Sequence, residues 1–209
     1  MARPARFDAD QLLDAAVRLA AATGPGGVTM SAVANDVGAP SGSVYHRFPG
    51  RPALLAEVWL RTVERFQEGY FKALDTDVDA RQAGRAAARH VVSWSRAHPE
   101  EAAVLLYGAG DFGRAHWPKE HVHRAEHGNQ RVRTALAALA EALGAKARQD
   151  TECVELALID LPLSLVRRHL RAGEPLPAHA EDLAEECATA LLNSLPTNSA
   201  SPPPPPAAP

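Results

Sequence analysis

Between residues 24 and 52 the chain is broken by Gly24-Pro25-Gly26-Gly27, by Gly38 and Pro40, and by Pro49-Gly50 with Pro52, so only two short elements fit between the breaks. Each carries apolar residues four apart, Val33 with Val37 and Val44 with Phe48, the spacing that places two side chains on one face of a helix. Thr29 stands where a cap for the first is needed, and Gly38 is free to take the positive φ of a tight turn. The second is entered through Pro40 at its first turn. The segment therefore reads as two short helices, 29–37 and 41–48, joined by a sharp corner. A longer helix precedes them, starting near Asp8 as N-cap, with Leu12, Ala16 and Leu19 beside Leu13, Val17 and Ala20 on one face. Another follows, from Arg51 to about Ala73, opened by Pro52.

Helical periodicity continues at about 79–97, 99–108, 118–143, 150–172 and 178–195, with breaks at His98-Pro99, in the 108–118 loop, at Gly144 and over 173–177. Alternating valine and isoleucine runs are missing, so the expected fold is all-α. The expected layout is an N-terminal three-helix domain over 5–65 that contains a helix-turn-helix, a helical-bundle domain over 66–195, and a Pro/Ala-rich tail over 196–209, extended and disordered. With 209 residues, 46% of them hydrophobic, the chain can bury a core in each folded part. No stretch approaches the ~20 apolar residues of a bilayer span, and the N-terminus lacks an apolar signal core, so no membrane association and a cytoplasmic location are expected. Cys153 and Cys187 read as small buried hydrophobes.

A helix, a tight turn and a short second helix form the unit that seats its second helix in the DNA major groove. With Val44 and Phe48 turned to the core, Ser41, Ser43, Tyr45, His46 and Arg47 are left to face DNA, and Gly42 allows a close backbone approach. Arg47 is the side chain able to read a guanine bidentately, the hydroxyls suit base edges or phosphates, and Arg51 opens the next helix where cation and amides can hold phosphate. Charge argues the other way. The net charge is −3, and over residues 1–50 Arg3, Arg6, Arg18 and Arg47 are balanced by Asp8, Asp10, Asp14 and Asp36. Binding must then rest on well-placed cations, including Arg3 or Arg6 in the arm, with few released counterions and a shallow salt dependence.

The stretch GPGGVTMSAVANDVGAPSGSVYHRFPGRPALL resembles the TetR family of bacterial transcriptional regulators, over roughly residues 7–60. The resemblance implies DNA contacts at Thr29, Ser31, Ser41, Ser43, Tyr45, His46 and Arg51. Ser41 departs from the lysine, and Pro40 from the capping serine, that many relatives carry. It also implies a twofold dimer built from the last two long helices and a helical body that senses a small molecule. The residues support the dimer on their own account. Leu156, Leu158, Ile159, Leu161, Leu163, Leu165 and Val166 are too many for one face of a monomer, and the last helix repeats Leu183, Cys187, Leu191 and Ala184, Ala188, Leu192.

Trp94, Tyr107, Phe112, Trp117 and Asp160 are the pocket candidates, as aromatics and one polar group within an apolar surround. Asp160 precedes Pro162, whose missing N–H should bend the helix beside a cavity; the plainer role for that carboxylate is to be satisfied by an arginine such as Arg167 or by freed backbone amides. His116, His121, His123 and His127 lie among Lys119, Glu120, Arg124 and Glu126, so the segment reads as solvated, without a metal site. No cofactor is expected. The expected function is a ligand-responsive repressor released from a palindromic operator by an effector; a ligand-independent regulator or activator shares every head residue. An all-α enzyme using His90 or Asp160 is the contrasting class, and no catalytic motif spacing supports it, so the chain reads as no enzyme.

Overall fold

The computed structural model describes residues 8–75 and 79–195, and all regular structure among them is helical. The arm with Arg3 and Arg6 and the tail over 196–209 lie outside the described residues. Helix α1 (Ala9–Thr23) begins at a reciprocal cap: the Gln11 amide donates to the Asp8 carboxylate at 2.8 Å, and the Gln11 side chain accepts from the Asp8 N–H at 3.2 Å. Gly24, at φ 74°, ends it, and one 3₁₀ turn (Pro25–Gly27) leads to α2 (Met30–Asp36). The Thr29 hydroxyl caps α2 by accepting from the Ala32 N–H at 3.0 Å. Gly38 takes φ 67° at the corner before α3 (Ser41–Arg47), for which Pro40 is the N-cap, one position earlier than expected.

Helix α4 (Arg51–Leu74) has 24 residues and is about 36 Å long at 1.5 Å per residue. It runs through two cores. Its first half, with Leu54, Leu55, Ala56, Val58 and Leu60, packs with α1, α2, Val44 and Phe48, while Tyr70 near its far end belongs to a second core of α5 (Ala80–Ala97), α7 (Lys119–Ala142) and the last helices. The head core is not sealed off from the body. Val104 of α6 (Pro99–Leu105), Phe112 and Trp117 of the following loop, and Ala125 of α7 are buried in it.

The bend expected at Pro162 is a change of helix type. Helix α8 (Arg148–Glu155) passes into a π turn (Leu156–Asp160) and then α9 (Leu161–Ala172), with Pro162 buried in the first turn of α9. Pro162 has no N–H for the Leu158 carbonyl and its ring would crowd that oxygen; widening the preceding turn relieves both problems, and the Leu161 N–H reaches back five residues to the Leu156 carbonyl. Helix α10 (Ala180–Asn193) lies closely against α5, where a Cβ on Gly84 would stand 2.7 Å from Leu192 Cδ1.

Candidate nucleic-acid interface and body cavity

Helix α3 divides as its spacing requires. Val44 and Phe48 are 0% and 5% exposed, whereas Ser41, Gly42, Tyr45, His46 and Arg47 are exposed and Ser43 is half-buried. Among the described residues, the side chains of Ser41, Tyr45, His46 and Arg47 make no hydrogen bond or ion pair, so their polar atoms are free for another partner. Ser31 is exposed, and its hydroxyl lies 3.3 Å from that of Thr29, whose oxygen already serves the α2 cap.

Arg51 has a task that spacing did not reveal. Its Nε donates to the Val28 carbonyl at 2.7 Å, and its Nη2 to the carbonyls of Pro25 at 2.8 Å and Gly26 at 3.4 Å. The guanidinium thus ties the loop between α1 and α2 to the start of α4, which leaves only part of its donor set for phosphate. The balance of formal charges in the head also changes meaning. Asp14 and Asp10 accept from Arg61 of α4 at 2.6 and 3.3 Å, and Asp36 pairs with Arg18. Three of the head's acids are thereby neutralised locally, while Arg47 keeps its charge unpaired on the exposed side of α3.

The five pocket candidates do not converge. Phe112 and Trp117 are 0% and 6% exposed within the head core, the Trp117 indole donates to the Phe112 carbonyl at 2.8 Å, and its ring lies 5.6 Å from that of Trp59. Tyr107 is 37% exposed at the edge of the same region, beside Gly24 and Phe112. Trp94 packs edge-on against Phe66 at 5.4 Å and beside His98 at 4.9 Å. Asp160 lines a cleft in the body, away from the other four. The reason is the 108–118 segment: it folds against α1 and α4 as part of the head core, and takes its aromatics with it. Asp160 is exposed and makes no ion pair with Arg167 or any other described residue.

Two of the clefts in the body have largely apolar walls. The larger, about 690 Å³, lies at the far end of α4 between Phe71 and Leu74, the start of α5, and the Arg131, Thr134 and Ala138 side of α7. The Arg131 guanidinium covers the Phe71 ring there at 4.4 Å. The smaller, about 410 Å³, lies between α4, α7 and the π turn, and is lined by Trp59, Val63, Phe66, Gln67, Leu105, Val132, Leu136, Ile159 and Leu163, with Asn129, Arg133, Glu155 and Asp160 as further polar groups. This second cleft borders the head core, because Trp59 packs against both. Sequence reading missed Trp59, Phe66, Gln67 and Glu155; the signal for the aromatics was present in the i, i+7 spacing of Trp59 and Phe66 along one face of α4.

Residues 12–58 match the model of the bacterial regulatory proteins of the tetR family. The head of this chain is thus similar to the DNA-binding head of those regulators. No curated protein matches the sequence. Among solved structures, the chain is similar to a TetR-family regulatory protein from Rhodococcus RHA1, at 17% identity and a TM-score of 0.70, over 89% of this chain and 95% of that one. It is also similar to FadR from Bacillus subtilis, solved in complex with stearoyl-CoA, at 15% identity and a TM-score of 0.69, over 90% and 100%. A TetR-like regulator from Rhodococcus sp. RHA1 shares 23% identity at a TM-score of 0.67, over 92% and 100%. The shared fold, a helix-turn-helix head on a helical body, extends over nearly the whole chain.

In the helical body the histidine-rich segment is less solvated than its composition suggests. His116, His123 and His127 are exposed, but His121 is buried and its Nε2 donates to Glu57 of α4 at 2.9 Å. Arg124 joins the same carboxylate at 2.9 and 3.0 Å and also grips Glu64 at 2.6 and 2.8 Å. Half of the segment is therefore a polar clamp between α7 and α4. Among the described residues no three His, Cys, Asp or Glu side chains are grouped to hold a metal ion. His90 donates through Nε2 to the Phe66 carbonyl at 3.1 Å within a ring cluster of Phe66 and Tyr70, and burial lowers its pKa. Burial likewise pushes the Tyr70 phenol well above its ordinary value. No hydrogen bond or ion pair joins His90 to Asp160. No described helix is long and apolar enough to cross a membrane.

Proposed function

We propose that this regulator is a repressor that binds a palindromic operator as a twofold dimer and is released when a small-molecule effector enters the 410 Å³ cleft. The carrying observation is the position of that cleft. Its wall contains Trp59 of α4 and Leu105 at the end of α6, and those two helices also supply Leu54, Leu55, Val58 and Val104 to the head core. A molecule that spreads this wall acts directly on the elements that hold α1 to α3. The larger cleft touches no residue of the head core. FadR from Bacillus subtilis, of similar fold, was solved with stearoyl-CoA, which supports ligand binding as the purpose of such a body.

Dimerisation is supported by apolar surface on the last helices: Leu156, Leu161 and Leu183 are 40%, 38% and 39% exposed. Around them Arg167, Arg168 and Arg171 of α9 and Glu186 of α10 have no ion-pair partner among the described residues, so two copies can pair basic α9 with acidic α10 across a twofold axis. Such a dimer sets two α3 helices about 34–36 Å apart, one DNA turn. DNA contact by Thr29, Ser31, Ser41, Gly42, Ser43, Tyr45, His46, Arg47 and Arg51 belongs to the same reading. Selection from a random duplex pool tests it: enrichment of an inverted repeat is expected, and failure to enrich any inverted repeat overturns it.

A further inference from the structure

We propose that the cleft between α4, α7 and the π turn takes a lipophilic organic cation, a proposal that rests on the reading of this cleft as the effector site. The charged groups on its wall are Arg133, Glu155 and Asp160. Arg133 donates from Nε and Nη2 to the neutral Gln130 side-chain oxygen at 3.2 and 2.6 Å and so keeps its charge, but the two carboxylates outnumber it and leave the wall net negative. Neither Glu155 nor Asp160 has an ion-pair or hydrogen-bond partner among the described residues. They stand five residues apart across a turn whose hydrogen bonds also span five residues, so the π turn sets both carboxylates toward one end of the cleft. In a regular α-helix, at 3.6 residues per turn, positions five apart point in divergent directions.

The remaining lining suits the rest of such a molecule. Trp59 and Phe66 offer ring faces, and Val63, Leu105, Val132, Leu136, Ile159 and Leu163 an apolar surround. Ring faces attract cations, and two unpaired carboxylates favour them further, while both disfavour an anion of the same shape. A second, independent feature points to a bound molecule. Gln67 is 8% exposed, lines the same cleft, and its side-chain amide has no hydrogen-bond partner among the described residues. The amide keeps its donors and acceptor open toward the cleft, where a polar substituent on the bound molecule can meet them.

The test uses two ions of nearly the same shape and opposite charge, tetraphenylphosphonium and tetraphenylborate, titrated calorimetrically into the full chain with tryptophan emission followed in parallel. The phosphonium is expected to bind at least about 10-fold more tightly and to change the tryptophan emission of the parent chain more than that of a Trp59→Phe variant. The double variant Glu155→Gln, Asp160→Asn, at two exposed positions, is expected to keep its helical circular dichroism and to erase that preference. Equal affinity for the two ions, or a preference that survives in the double variant, overturns the proposal. Operator binding separates this from the function itself. If the phosphonium binds through these carboxylates but leaves operator affinity unchanged, the site stands and effector release fails. If the ions do not discriminate yet an inverted repeat is selected, the cation site falls and the DNA-binding reading stands.

Discussion

Arg51 shows how one side chain at a helix start can be committed to the fold while standing next to a nucleic-acid surface. Its fork meets three carbonyls of the loop between α1 and α2. Arg51→Ala is expected to cost about 1–2 kcal/mol of unfolding free energy, measured by urea titration. Arg51→Lys should fare nearly as badly, because an ammonium keeps the charge but cannot reproduce the fork. Arg47 is the counter-case, exposed and unpaired, so Arg47→Ala should leave stability within about 0.5 kcal/mol while weakening operator binding by about 1–3 kcal/mol with relaxed preference at one base pair. A preserved base preference would remove it from direct readout. His90 provides a pH prediction. Burial depresses its folded-state pKa below the unfolded value near 6.5, so the unfolded chain binds the extra proton and stability is lost as pH falls from above 6.5 through the folded pKa. Melting temperatures at pH 7.5 and 5.5 should therefore differ less in His90→Gln than in the parent protein.

At the scale of elements, periodicity made the helices legible because each must bury a stripe, and capping by Asp8 and Thr29 fixed two starts directly. The π turn was not legible. A 3.6-residue period sees in Pro162 only a bend, and nothing in residue type announces that the strain is absorbed by one wider turn. The cavity escaped for a related reason: large aromatics were the cue, and those of the 108–118 segment are bound into the head core by contacts far apart in sequence. Helix α10 is fastened to α5 by ion pairs that spacing cannot pair either: Arg96 with Glu181, and Arg89 with Asp182 and Glu185. The Arg96 guanidinium, hydrogen-bonded at 2.6 Å through two nitrogens, holds Glu181 below its ordinary pKa. That contribution is complete above about pH 4.5 and is lost as pH falls through the depressed value. Amide exchange in α10 should accordingly accelerate in acid in the parent chain, and much less so in Glu181→Gln, where the slope has no carboxylate to titrate.

For the molecule as a whole, the modest charge of the head becomes a measurable property. With Asp10, Asp14 and Asp36 paired internally and few free cations on the exposed side of α3, the slope of log affinity against log salt should be shallow, below about four per head in magnitude. A steep slope would mean that other cations reach the phosphates. The proposed dimer would double the contact without adding charge, so Leu161→Glu, placed in the exposed apolar strip of α9, should yield monomers on size-exclusion chromatography and weaken binding to a two-half-site duplex far more than to a single half-site. The shared head core bears on how such proteins can be recombined. Val104, Phe112, Trp117 and Ala125 enter that core from beyond residue 100. A graft that joins these first 60 residues to another receiver would leave the head with holes where those side chains belong. Exchanging heads between regulators then requires moving the 104–125 strap along with them, and the point of crossover in the gene no longer coincides with the visible boundary between reader and receiver.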